Sequence, residues 1–311
     1  MVELQARPWH ERDLALMTIH PIDLRFRNTP GLIAAWLLKG ESECALIETG
    51  PGSCHEALVE GLAAHNVAPS DVKQVLVTHI HLDHAGGAGW WARQGAQVFV
   101  HTRGAAHLID PSKLIDSATR IYGDEMDTLW GAMLPAPAER VTALHDGDEV
   151  FVDGRKIIAW DTPGHARHHH AFVMDDVCFT GDVAGVRLMG CNYLSVAAAP
   201  PQFEPEPYVQ SVERLLAANF SRLYLTHFGE VADVRSHLEA YRQRIREVHS
   251  QVADWVREGT PSYEVAERYT SVEHDRAMVL GVSEEDWSRY QLANGSVMCA
   301  SGVELFVKKH G

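Results

Sequence analysis

Short apolar runs rich in Val, Ile and Leu recur along the chain at strand length, near residues 16–21, 32–38, 43–48, 73–78 and 96–101. Between them, Cys54 to His65 and residues 88–94 carry the looser apolar spacing of helices. Residues 103–140 lose the strand pattern, and their Asp, Pro, Met and Trp content predicts helices or a long loop, either covering a pocket or forming a peripheral insertion. From Arg140 strands return: Val141–Leu144, Glu149–Val152, the run from Ile157, Ala171–Met174 and Val177–Thr180. Asp153-Gly154 is a strong hairpin-turn signal and Asp175-Asp176 a weaker one. Two strand-rich halves of this kind predict a sandwich. Pro200, Pro201, Pro205 and Pro207 then mark a loop before an amphipathic helix, Tyr208 to Ala218. After Gly229 the pattern turns helical: Leu238, Tyr241, Ile245, Val248, Val252 and Val256 give Asp233–Glu258 one apolar face. The tail, with Trp287, Tyr290, Leu292 and Val297, suits a small helical cap or a contact within a homodimer.

At 311 residues and 46% hydrophobic, the chain can bury a large core, and one main domain with an appendage is expected, divided as 1–235 and 236–311. Formal charge is −15, from 27 basic and 42 acidic side chains, which argues against nucleic acid as partner because phosphate binding needs a basic face. The five cysteines lack CxxC spacing and read as reduced core thiols. Met1–His10 lacks the basic-then-apolar profile of an export signal, and no run approaches the ~20 apolar residues of a membrane span. A cytoplasmic location without membrane contact is the resulting expectation.

Chemistry enters with Val75-Leu-Val-Thr-His-Ile-His-Leu-Asp-His-Ala-Gly-Gly87, where His79, His81, Asp83 and His84 leave the end of one apolar strand. Four ligand-type side chains in so short a span converge on a small volume, and imidazole with carboxylate suits zinc, iron or manganese rather than calcium. Three more strand ends deliver similar groups: His165 after a Pro-Gly turn, Asp182 after Val177–Gly181, and His227 after Leu223–Thr226. Any one alone would pass for a turn or capping residue. Together they complete the first cluster.

Glu48-Thr-Gly50, His79-Ile-His-Leu-Asp-His84, Gly164-His165, Gly181-Asp182 and Thr226-His227 match, in order and spacing, the five motifs of the metallo-β-lactamase-fold hydrolases. The matching core spans roughly residues 15–235, and Thr162-Pro-Gly-His-Ala-Arg-His-His169 with Thr226-His-Phe-Gly229 most resembles the glyoxalase II-like branch. The resemblance implies an α/β, four-layer αββα sandwich with a C-terminal helical extension. It implies two divalent metal ions, zinc first and iron or manganese as alternatives. One would sit on His79, His81 and His165, the other on Asp83, His84 and His227, with Asp182 and a hydroxide bridging them. Asp83 would orient the hydroxide and accept a proton. The expected reaction is hydrolysis of a small-molecule ester, thioester or lactone.

Alternatives remain on the same fold. Persulfide dioxygenases use a single iron on two His and one carboxylate, and a ligand-sensing protein would keep the fold without turnover. Secreted β-lactamases generally lack an Asp at the position of Asp182, and flavodiiron enzymes have Glu where this chain has His81. The family usually has Asp at Glu48, so the extra methylene shifts a carboxylate that normally supports the metal ligands from behind.

His168 or His169 would orient a ligand or face the substrate, with a surface polar run equally open. On an extended segment, at most two of His168, His169 and His170 would share a face. Tyr193 is a candidate hydrogen-bond donor to a substrate carbonyl, with packing the more ordinary role. Trp90 and Trp91 read as helix core. In glyoxalase II-like relatives a C-terminal helical region helps bind glutathione through basic residues; Arg242, Arg244, Arg246, Lys308 and Lys309 are available here, but none falls in an alignable motif, and a solvated helix face explains them more simply.

Overall fold

A computed structural model describes residues 17–310. Met1–His10, read above for an export signal, lies outside these residues. The chain runs β1 (Thr18–Asp23), β2 (Ala34–Lys39), β3 (Cys44–Ile47), α1 (His55–Ala64), β4 (Val72–Leu76), α2 (Leu82–Ala85), α3 (Ala88–Arg93) and β5 (Gln97–His101). Then come α4 (Thr102–Ile109), α5 (Ser112–Tyr122), α6 (Met126–Trp130), β6 (Val141–Leu144), β7 (Glu149–Val152), β8 (Arg155–Asp161), β9 (His170–Met174) and β10 (Val177–Gly181). The last elements are α7 (Pro205–Ala218), β11 (Arg222–Leu225), β12 (Gly229–Val231), α8 (Val234–Arg257), α9 (Ser262–Val279), α10 (Glu284–Ala293) and α11 (Ser296–His310).

The strands form two mixed six-stranded sheets, ordered β1-β2-β3-β4-β5-β6 and β12-β11-β10-β9-β8-β7. β9 is buried on both faces, and its alternation decides which layer each side chain joins. Phe172 and Met174 enter the core shared with the first sheet, whereas Ala171 and Val173 meet the helices behind the second. Trp36 Nε1 donates to the Leu225 carbonyl at 3.2 Å, tying the sheets together across the core. The outer cluster also contains Leu238, Tyr241, Ile245 and Val248 of α8, Val265 and Tyr269 of α9, and Cys299 and Val303 of α11. The C-terminal helices therefore complete the layer over the second sheet. Among the described residues no helix is long and apolar enough to cross a membrane.

Strand direction places the chemistry. β3, β4 and β5 are parallel, β10 and β11 are parallel, and β8 runs with β10 because each is antiparallel to β9. The segments following β3, β4, β8, β10 and β11 consequently leave along one rim, where β9 begins.

Three expectations shift. α7 starts at Pro205 rather than Tyr208, since a proline at the first helical position loses no hydrogen bond and presets φ. Arg167 and His168 form a turn, and only His170 belongs to a strand, so alternation does not govern the three histidines. Residues 103–140 fold as most of α4 followed by α5 and α6, with short 3-10 turns at Gly123–Glu125 and Ala138–Arg140.

Candidate metal centre

The rim gathers the seven predicted donors. His165 Nε2 lies 3.2 Å from His79 Nε2 and 2.9 Å from His81 Nδ1. His84 Nε2 lies 3.6 Å from Asp83 Oδ2, and His227 Nε2 3.3 Å from the same oxygen. Asp182 faces both sets: Oδ2 is 3.3 Å from His165 Nε2, while Oδ1 is 3.3 Å from His84 Nε2 and 3.5 Å from His227 Nε2. Donors held tetrahedrally at ~2.1 Å from a zinc ion would be about 3.4 Å apart, so this spacing suits a cation in each set. Among the described residues, buried His84 Nε2 and Asp182 Oδ1 have no hydrogen-bond partner, a costly state for two polar atoms unless a cation satisfies them. The donor set fits divalent metal.

The opposite ring nitrogens are fixed. His165 Nδ1 meets the Ala197 carbonyl at 3.0 Å, His227 Nδ1 the Leu32 carbonyl at 2.9 Å, and His84 Nδ1 the Glu48 carboxylate at 2.9 Å. Such contacts select the tautomer that aims Nε2 into the centre. Glu48 is fully buried, with a left-handed φ of 70° that is unusual for a side chain of its size. Its carboxylate also accepts from the Thr78 hydroxyl, and from the Thr226 hydroxyl at 3.3 Å. Both threonines thus serve the site.

Electrostatics follow from burial among like and unlike groups. Burial, then neighbouring imidazoles, hold His79 and His81 well below the ordinary histidine range. Burial pushes His84 the same way, yet Asp182, Asp83 and Glu48 overcome it and raise the ring well above that range. Burial would raise Asp83 and Asp182, but the facing histidines, His84 foremost, bring both below the usual carboxylate range. His79 and His81 are thus ready as neutral ligands, whereas His84 and His227, both raised by the facing carboxylates, would give up a proton when a cation takes its place between them.

His169 accepts from the Asp182 amide at 3.1 Å through Nε2, and its Nδ1 meets the Thr162 hydroxyl at 2.8 Å. It therefore supports the segment carrying Asp182. Gly181 is required there, with φ of 51° and no room for a Cβ, which would lie 2.5 Å from Thr78 Oγ1 and 2.8 Å from His169 Nε2. His168 lines the cavity, its Nε2 3.3 Å from Gln202 Nε2. His170 joins His101 on Asp161 instead: His101 Nδ1 accepts from the Arg103 amide, so its Nε2 carries the proton toward Asp161. That trio reads as a hydrogen-bonded cluster.

Tyr193 is buried and donates to Glu273 at 2.6 Å, away from the donors. Trp91 is core, and Trp90 packs against the His55 ring at a tilt of 51°. Arg242 and Arg246 pair with Glu213, and Lys308 pairs with Glu304. Arg244 departs from a solvated helix face, being buried in ion pairs with Glu247 and Glu273. Residue pattern gave no sign of Tyr208, whose hydroxyl donates to the Asp182 carbonyl at 2.6 Å, or of Tyr241, 2.8 Å from that hydroxyl. Carbonyl acceptors at Leu32 and Ala197 leave no trace in a sequence either.

A cavity of about 510 Å³ opens above the donors, floored by His81, Asp83, His165, Asp182 and His227.

Among relatives, a metallo-beta-lactamase fold-containing protein of Sulfurisphaera tokodaii is 25% identical over 69% of this chain and 79% of its own length. A hydroxyacylglutathione hydrolase of Aeromonas hydrophila is 27% identical over 64% of this chain, and an atrochrysone carboxyl ACP thioesterase of Aspergillus fumigatus 27% identical over 70%. This chain spans 63% and 57% of the lengths of those two relatives. In structure, a metallo-beta-lactamase family protein of Thermus thermophilus superposes with a TM-score of 0.63 at 22% identity, covering 95% of this chain and 94% of that one. The sequence pattern of the metallo-beta-lactamase superfamily matches residues 28–227, and the chain belongs to that superfamily.

Proposed function

We propose that the protein is a dinuclear metallohydrolase that cleaves the acyl carbon–oxygen or carbon–sulfur bond of a small ester, thioester or lactone. His79, His81 and His165 would hold one divalent cation and Asp83, His84 and His227 the other, with Asp182 shared and zinc the first choice of metal. When bound, such cations supply Lewis acidity toward a carbonyl and bring the pKa of water toward neutrality.

The observation that carries this reading is the orientation of Asp182, whose two oxygens face the two histidine sets separately. Asp83 keeps 21% of its side chain accessible at the cavity floor. There it can take the proton released as water adds to the carbonyl and return it to the departing oxygen or sulfur. The carbon–oxygen or carbon–sulfur bond breaks, a bond to the water oxygen forms, and the products are a carboxylic acid and an alcohol or thiol. His168, on the cavity wall, would face the acyl group. Relatives named as a hydroxyacylglutathione hydrolase and an ACP thioesterase support hydrolysis of a thioester-type substrate. The net charge of −15 favours a small molecule over nucleic acid, and five free, buried cysteines suit a reducing, cytoplasmic setting.

The test pairs metal analysis by mass spectrometry with turnover of acyl esters, thioesters and lactones. Two metals per chain with hydrolysis, abolished by Asp83→Ala in a protein that keeps its circular dichroism, is the expected result. Full activity in that variant would refute the role of Asp83. Two metals with no turnover across the panel would favour a sensing protein.

A further inference from the structure

We propose that the cavity above the donors takes an unbranched apolar acyl chain of medium length, so that the substrate is a medium-chain acyl ester or thioester. This substrate class rests on the hydrolytic reading. The floor of the cavity is polar, whereas much of the walls is apolar. α5 contributes Leu114, Ala118 and Tyr122, and the C-terminal helices contribute Leu292 and Met298. Tyr122 Oη reaches Met298 Sδ at 3.9 Å, so the inserted helices and the C-terminal helices meet beside the opening. Trp130 stacks on Phe26 at 5.5 Å between ring centroids and meets Tyr122 edge-on at 5.1 Å, giving one side an aromatic face.

Two polar side chains of the walls, Gln202 and Gln291, are already engaged by the protein. Gln202 Oε1 accepts from the Arg167 amide and its Nε2 faces His168, while Gln291 Oε1 accepts from the Ser296 amide. Arg27, Lys113 and Glu125 are exposed, which confines charge to the mouth. Arg242, Arg244 and Arg246 do not line the cavity and pair with Glu213, Glu247 and Glu273, so its cations are Arg27 and Lys113 at the mouth, where a polar carrier would sit, and the deeper part is left to an uncharged acyl portion. An alkyl chain needs no such partners, and each buried methylene adds affinity through the area it removes from water. Met298, long and unbranched, can fit itself around such a chain.

The experiment uses the metal-loaded full chain and N-acetylcysteamine thioesters in a series from acetyl through butyryl, hexanoyl and octanoyl to decanoyl. Thiol release is expected to give kcat/KM rising about threefold to fourfold per methylene until the cavity is filled. Ala118→Trp, which fills part of the wall, is expected to move the optimum to a shorter chain. Calorimetric binding of decanoate against acetate is the second measurement, and tight decanoate with weak acetate is expected. Hydrolysis that is indifferent to chain length, with no preference for decanoate, would overturn the acyl-chain site and leave the hydrolytic reading intact. Selective decanoate binding without turnover of any thioester would support the apolar site and sink hydrolysis. Neither turnover nor selective binding would overturn both.

Discussion

Glu48 and His84 are a fully buried pair, joined at 2.9 Å from Oε1 to Nδ1, and the hydroxyls of Thr78 and Thr226 donate to the same carboxylate. The carboxylate thereby links the ends of three strands and orients one ring of the donor cluster.

Glu48→Gln keeps the size of this side chain and removes its charge. The expected outcome is a loss of metal affinity at the Asp83–His84–His227 set of about 10–100-fold. Competition with a chromogenic chelator measures it, and unchanged affinity would show that the carboxylate does not act through His84.

Chelation should destabilise the fold, because ions held at both donor sets bind the native chain alone. At a thousandfold excess of free metal over Kd, each site contributes about 4 kcal/mol. Thermal unfolding with and without a chelator reads this as a clear fall in Tm, and coincident curves would contradict metal binding at the cluster.

His237 is buried and donates from Nε2 to the Ala184 carbonyl at 2.8 Å. Burial, with Arg187 nearby, lowers its pKa to about 4. An unfolded histidine titrates near 6.5, so between about 6.5 and 4 the unfolded chain binds a proton that the folded chain refuses. The stability from this residue is complete above about pH 6.5 and shrinks as pH falls toward 4. His237→Gln retains a donor for Ala184 without titrating. Its urea midpoint should fall less steeply with acid than that of the wild type, the difference reaching about 3 kcal/mol. Parallel pH profiles would show that His237 is not protected.

Gly302 lies on α11 where a Cβ would come within 1.9 Å of the Ala198 carbonyl. Gly302→Ala must push the helix from the segment that supplies the Ala197 acceptor for His165. A cost of about 1–3 kcal/mol is expected, together with weaker metal binding. Denaturant titration and metal affinity measured on the same variant check both, and loss of stability with intact affinity would separate the helix from the site.

The seven donors were legible because metal chemistry accepts few residue types and each sits where a strand stops. The sandwich was legible for a related reason, since a strand covered on both faces reads as an unbroken apolar run, as β9 does. The carboxylate of Glu48 was visible, but not the convergence of Thr78 and Thr226 upon it, because that depends on which strands become neighbours. The turn at Arg167–His168 was hidden by a histidine run that carries no turn residue. Pro205 read as loop because the same residue opens helices and interrupts them. Arg244 read as surface because helical spacing gives the apolar stripe, not the partner that reaches over its edge. The cavity walls depend on where residues 103–140 and the tail fold back, which no local pattern encodes.

The floor of the cavity belongs to strand ends, whereas its sides belong to helices inserted between β5 and β6 and to helices following β12. Mutation can therefore remodel which compounds fit while leaving the reactive groups untouched. Selection is free to exchange clientele without rebuilding the machinery.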